Sequence, residues 1–280
     1  MDVGIITDEI SEDIEESLGV MRRCDVSIAE IRAVWGKNSI DLDPDELARL
    51  KRILSDAGAS VCAISSPFFK CDISATERGE RGRLHDAKEL SLDDQAEVLD
   101  KACKVAEMLG TDKIRVFSFW RKSDPTPEIE ARIVELFQEP LETAKARGMT
   151  LLLENEHSCF LGTGQETARV VEQLPGLKVV WDAGNAFAAG EIPFPDGYQA
   201  LKPWVEHVHV KDAVRDSEGN TKFVKVGEGE CRYADQIAQL KSDGYDGVLT
   251  LETHYSIAEG GKAGASEESL KLLAAMVRGV

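Results

Sequence analysis

The 280-residue sequence contains nothing near the ~18 uninterrupted apolar residues of a membrane helix. A helical membrane protein is therefore excluded. Its six cysteines (24, 62, 71, 103, 159 and 231) are scattered, with no Cys-x-x-Cys pair. They read as reduced thiols of a cytoplasmic protein, not as a disulfide framework. Basic residues are scarce: 33 Lys and Arg stand against 51 Asp and Glu, a net charge of −18. That balance argues against a nucleic-acid partner, because phosphate binding needs a basic face. No Gly-x-Gly-x-x-Gly follows an early strand, so a dinucleotide fold has no support. The start, Met1-Asp-Val-Gly-Ile-Ile-Thr-Asp8, lacks the basic lead of a signal peptide and reads directly as a strand. Histidine is rare as well, with five in the chain.

What is present is a regular alternation. Apolar runs at Val3–Thr7, Ser27–Val34, Ala59–Ser65 and Lys113–Phe119 predict strands. Between them fall helical patterns at Glu12–Arg23, 44–57, Ser91–Leu109 and Glu128–Arg147. Asp43-Pro44-Asp45-Glu46 combines an N-cap, a proline at the first helical position and a capping-box glutamate. Gly58, Gly110 and Gly148 are expected helix stops, and Pro140 predicts a kink. Pro67–Ser91 is a long polar connection carrying Glu77-Arg-Gly-Glu-Arg-Gly-Arg83, the expected place for a lid or substrate-binding insertion. Four more strands follow, alternating with helices at Gln165–Leu174, Tyr198–Val205, Tyr233–Ser242 and Ser266–Val277. Eight strand–helix units without a composition shift predict one domain over 1–280, a single (β/α)₈ TIM barrel of parallel strands and outer helices.

The last four strands carry the chemistry. Thr150–Glu154, Val179–Asp182, Glu206–His209 and Val248–Glu252 each stop on a carboxylate or imidazole. A barrel gathers the C-terminal ends of its strands around one pocket, so Glu154, Asp182, His209 and Glu252 would converge. Each residue alone has a plainer reading. Glu154 fits a solvated strand end, Asp182 an N-cap before Gly184, and His209 a satisfied core imidazole. His207 lies on the same face as His209 at period two and is an equal ligand candidate. Glu252 would be costly to bury unpaired. An oxygen-rich set with one imidazole suits a hard or borderline divalent ion, Mn²⁺ first, with Mg²⁺, Co²⁺ or Zn²⁺ as alternatives.

The motifs Leu152-Leu-Glu-Asn155, Trp181-Asp-Ala-Gly-Asn185, His207-Val-His-Val-Lys-Asp212, Val226-Gly-Glu-Gly-Glu230 and Gly244-Tyr-Asp-Gly-Val-Leu-Thr-Leu-Glu252 resemble the xylose isomerase-like TIM-barrel superfamily of sugar (phosphate) isomerases and epimerases. The resemblance implies that Glu154, Asp182, His209 and Glu252 are metal ligands. It also implies that Glu154 and Glu252 are the catalytic acid/base pair and that Arg215 holds substrate oxygens. The chain departs from ketose 3-epimerases in two places. Phe160 stands where they carry a second glutamate, and Asn185 where they carry a histidine. The apurinic endonucleases of the superfamily need several more histidines than this chain has.

Around these positions, Glu156, His157 and Asn185 are further substrate-binding candidates. Trp35, Phe68, Phe69 and Trp120 fall near strand ends, where aromatic faces either stack on sugar or close the barrel mouth. Arg32, Arg121 and Lys211 are candidate anion contacts or merely solvated, Asp212 is a candidate N-cap, and Cys159 reads as structural. The expected function is a metal-dependent isomerase or epimerase of a sugar or sugar phosphate, working through an enediolate. A keto-sugar or keto-inositol dehydratase on the same site is the alternative enzyme, and a non-catalytic sugar-binding barrel the alternative of another class. No membrane partner is expected, and a homo-oligomer is left open.

Overall fold

The computed structural model describes residues 1–74, 79, 82 and 84–280. Most of the expected loop segment 77–83 lies outside the described residues. Eight parallel strands form the barrel: β1 (Asp2–Ile6), β2 (Ile28–Ile31), β3 (Ser60–Ser65), β4 (Lys113–Val116), β5 (Thr150–Glu154), β6 (Lys178–Asp182), β7 (Val205–Val210) and β8 (Val248–Leu251). They close in the order β1-β8-β7-β6-β5-β4-β3-β2, the (β/α)₈ architecture expected from the alternation. Helices surround the ring, and one buried cluster joins strands to helices through residues such as Ile5, Leu50, Val98, Leu153, Val179 and Leu273.

Local sequence explains several helix ends. Asp43 accepts from the backbone N–H groups of Asp45 and Glu46, and Glu46 reaches back to the Asp43 N–H, so helix Pro44–Asp56 starts on a complete capping box. Gly110 takes the left-handed conformation, φ 82°, that closes helix Gln95–Leu109. Pro140 lies inside helix Pro127–Ala146.

Two expected strands are too long. The second stops at Ile31, and Ala33–Val34 instead form a small hairpin with Lys37–Asn38. The reason lies in Arg32, whose guanidinium turns inward to carboxylates at the barrel mouth. The fourth stops at Val116. Beyond it, the Phe117 and Phe119 N–H groups bond to the carbonyls of Phe68 and Phe69, and Phe119 takes a positive φ of 66°. The expected helix over 198–205 is shorter, Tyr198–Leu201, and another, Ala183–Ala188, follows β6 directly.

Candidate metal centre

Register brings the strand-end residues together. Asp182 on β6 pairs directly with His209 on β7, and His209 pairs with Thr250 on β8. Glu252 lies two residues beyond Thr250, hence on the same side. Glu154 ends β5, beside Val180. One ligand atom from each of Glu154, Asp182, His209 and Glu252 lies within 4.8 Å of the others, and all four residues are buried. Two features of the sequence make this possible. Asn155 clamps β5 to β6, accepting from the Asp182 N–H at 2.8 Å and donating to the Asp182 carbonyl at 2.8 Å. Gly184 lets the turn after β6 pass under β7, for a Cβ there would stand 2.2 Å from the Lys211 carbonyl oxygen.

Three cations face the carboxylates. Arg115 donates to Glu154 Oε2 at 2.9 Å. Lys211 Nζ lies 2.6 Å from Glu252 Oε2 and 3.1 Å from Asp182 Oδ2. Arg32 donates to Glu252 Oε1 and Asp8 Oδ2, both at 2.7 Å, and to Glu9. Burial pushes the Glu154 carboxyl up, but His209 and Arg115 bring it below the ordinary range. Burial is likewise overcome at Glu252 by Lys211, His254 and Arg32, which hold it well below that range. Asp182 goes the other way. Burial pushes it up to about 6, Lys211 pulls against this, and Glu154 and Glu252 add to it. Its Oδ1 caps helix Ala183–Ala188 through the Asn185 N–H at 2.8 Å, while its Oδ2 is buried and accepts no hydrogen bond. That oxygen is turned to the Lys211 ammonium at 3.1 Å, and a buried carboxylate oxygen already facing a cation, with three further ligand atoms close by, fits a cation-binding position.

The two histidines separate cleanly. His209 Nδ1 faces Glu154 Oε1 at 3.3 Å and Glu252 Oε2 at 3.9 Å. His207 sits deeper, its Nε2 at 2.8 Å from Glu30 and 3.0 Å from the Thr250 hydroxyl, away from the quartet. Glu30, fully buried, bonds both imidazoles, reaching His209 Nε2 at 3.0 Å. A carboxylate on the far nitrogen of a ligating histidine orients the ring and raises its basicity.

The remaining expected contacts fall in different places. Asn185 donates to Glu154 Oε1 at 3.0 Å and meets His157 Nδ1 at 3.0 Å. Glu156 Oε1 accepts from the Ser158 hydroxyl at 2.9 Å, and its Oε2 lies 3.7 Å from Lys70 Nζ. Glu156 and His157 line a cavity of about 380 Å³ together with Lys70, His85, Phe223 and His254. Arg215 is the exposed end of a hairpin, Asp212–Arg215 with Thr221–Val224, that is otherwise buried or half-buried apart from Lys222. Its guanidinium donates to the Phe187 carbonyl at 2.5 Å and the Thr221 hydroxyl at 2.7 Å. Trp35 is half-buried beneath Arg49, 4.6 Å from ring centroid to guanidinium. Trp120 is fully buried with Phe117 and Cys159. Phe68 and Phe69 stack at 4.0 Å within the core. Phe160, 1% exposed, is core as well.

Three readings need correction. Arg32 and Lys211 are not solvated, being 2% and 1% exposed. They are held inside because each meets two or more buried carboxylates. Asp212 caps no helix. Its carboxylate accepts from the N–H groups of Gly227, Gly229 and Cys231 and so folds the Val226-Gly-Glu-Gly-Glu230 loop around itself. A Cβ at Gly229 would stand 2.0 Å from that carboxylate, which is why glycine is there. Glu30, Arg115, Lys70 and His254 were missed. For Glu30 and Arg115 the signal that could have found them is a charged residue inside an apolar strand, on β2 and β4.

The fold is a closed (β/α)₈ barrel that brings three carboxylates and an imidazole from the ends of four successive strands together as a candidate metal-ligand group. The chain belongs to the xylose isomerase-like TIM barrel family, whose sequence profile matches residues 22–276. An uncharacterized protein of Methanocaldococcus jannaschii is 29% identical over 121 residues, which is 41% of this chain and 40% of that protein. Solved structures of the same fold cover nearly the whole chain. A zinc-bound IOLI protein aligns with a TM-score of 0.76 at 16% identity over 100% of this chain and 99% of that one. The probable 3-DHS dehydratase AsbF of Bacillus anthracis gives 0.74 at 19% identity over 98% and 99%. A D-allulose 3-epimerase of a Methylomonas species, in complex with D-allulose, gives 0.72 at 17% identity over 99% and 96%. An epimerase and a probable dehydratase thus share this fold. Among the described residues, no helix is long and apolar enough to cross a membrane.

Proposed function

We propose that the protein is a divalent-metal-dependent isomerase or epimerase of a sugar or sugar phosphate, moving a proton next to a carbonyl through an enediolate of the substrate. The observation that carries this is the buried quartet, one ligand atom of each residue within 4.8 Å of the others. Glu154, Asp182, His209 and Glu252 would hold the ion, Mn²⁺ first. When bound, the ion supplies charge that stabilises a developing oxyanion. Glu154 and Glu252 are the candidate proton carriers. They end β5 and follow β8, three strands apart around the ring, so a substrate between them presents one face to each. Arg115 holds Glu154, while Lys211 and Arg32 hold Glu252, so both carboxylates stay ionised and aimed. Glu156 and His157, which line the cavity, and Arg215 are the proposed substrate contacts, while Asn185 positions Glu154 and His157.

A dehydratase reading is favoured by two positions. Phe160 is buried core, and Asn185 is spent on Glu154 and His157. Neither offers the glutamate or histidine that ketose 3-epimerases present to their sugar. The AsbF structure shows that this fold also occurs in a probable dehydratase. The experiment is a proton-exchange screen by NMR in D₂O with Mn²⁺ across ketoses, keto-inositols and their phosphates. Deuterium wash-in with inversion or a shifted carbonyl supports the proposal, loss of water supports the dehydratase, and binding without exchange contradicts both.

A further inference from the structure

Three of the five histidines stand outside the barrel wall, at its mouth. Two of them, His85 and His254, face the same carboxylate. His254 Nε2 lies 3.0 Å from Glu252 Oε1, and the two imidazole rings are 5.9 Å apart. One ligand atom from each of His85, Glu252 and His254 lies within 4.8 Å of the others. Both histidines line the 380 Å³ cavity. Both also take a left-handed backbone, φ 48° at His85 and 55° at His254, which a side chain adopts only at a cost. We infer that His85, His254 and Glu252 form a second metal site, taking a borderline divalent ion such as Zn²⁺ or Co²⁺, with Glu252 bridging it to the quartet.

The chemistry of the donors supports this. Two imidazoles and a carboxylate are the donor set of open zinc sites, which leave a position for solvent or substrate. Here both imidazoles border the cavity. No ring nitrogen of His85 has a hydrogen-bond partner among the described residues. Arg32 donates to the same Glu252 Oε1, whose second lone pair stays available to an ion. Glu252 Oε2, turned to Lys211 and the quartet, serves the first.

The inference shares Glu252 with the proposed function but is tested apart from it. Metal-stripped protein is titrated with Zn²⁺ alone by calorimetry, and bound metal is counted after gel filtration. Co²⁺ absorption reports the coordination of each equivalent. The wild type should take up two equivalents. His85→Ala and His254→Ala should each remove the weaker one and leave the tighter, and His85→Gln and His254→Gln serve if an alanine variant unfolds. Asp182→Ala should remove the tighter equivalent instead. Saturation of the wild type at one equivalent, or a second equivalent surviving in the His85→Ala/His254→Ala double variant, overturns the inference. A tight equivalent insensitive to Asp182→Ala overturns the quartet and leaves this site standing.

Discussion

The two halves of the barrel contribute differently to one site. The C-terminal strands β5–β8 supply the candidate ligands Glu154, Asp182, His209 and Glu252. The N-terminal half supplies two of the three cations that make them tolerable in the interior, Arg32 after β2 and Arg115 from β4, with Asp8 and Glu9 holding Arg32 and Glu30 orienting His209, while the third cation, Lys211, follows β7. A carboxylate cannot be buried at strand ends without a partner. The ligand half is therefore legible as chemistry only if the other half answers it with charge. The ligand half reads as a site, and the answering half is built as its frame.

The comparison breaks most sharply at Arg32. Replacing it with Met leaves Asp8, Glu9 and Glu252 buried around an apolar chain, and removing one partner of a buried ion pair costs about 3–5 kcal/mol. Denaturant unfolding of the metal-free protein should show a loss of that order. A loss below about 1 kcal/mol would mean that water reaches these carboxylates. Next come the proton carriers. Glu154→Gln and Glu252→Gln should retain some metal yet lose at least ~10²-fold in turnover. Near-wild-type turnover in either would reduce that residue to a ligand, with Glu156 and His157 as the next bases to examine.

A gentler test uses pH. Folded Asp182 has its carboxyl raised to about 6 from an ordinary value of 3.8. In the metal-free fold its stabilising contribution is therefore present below the ordinary value and is lost as pH rises through about 6. An ion needs the ionised form, so binding must expel that proton below pH 6. Burial pushes the His209 ring down, but Glu30 and Glu154 hold it well above its ordinary value, so it too must lose a proton, and metal affinity should rise steeply with pH across this window, as read by Mn²⁺ titration. A flat profile between pH 5 and 7 would put Asp182 outside the coordination sphere. The smallest effect concerns Arg215. Its guanidinium is exposed and held by the Phe187 carbonyl and the Thr221 hydroxyl. Arg215→Ala should raise KM or lower kcat for the true substrate with metal content unchanged. Unchanged kinetics would make it a hairpin clasp only.

The same asymmetry explains what the sequence disclosed. Helix starts such as Asp43-Pro44-Asp45-Glu46 and stops such as Gly110 are local, so they were readable from neighbours alone. The barrel followed from alternation, and the ligand residues stood out because each interrupts an apolar run at its end. Arg32 and Lys211 were misjudged because a buried, paired cation and a solvated one look identical in sequence. Their partners, Asp8, Glu9 and Glu252 for one and Asp182 and Glu252 for the other, are distant along the chain. Strand ends at Ile31 and Val116 were overrun because tertiary demands end them: the inward turn of Arg32, and the bonds of Phe117 and Phe119 to the carbonyls after β3. Glu30, lying mid-strand between two histidines, could be placed only once β2 and β7 were seen across the barrel.

The central claim is that four strand ends make one metal centre, and a single titration tests it. Metal-stripped wild type and a Glu154→Ala/Asp182→Ala double variant are titrated with Mn²⁺ under identical conditions, with folding checked by circular dichroism. The account predicts a tight equivalent in the wild type that is gone in the variant. Equal tight occupancy in both would contradict it.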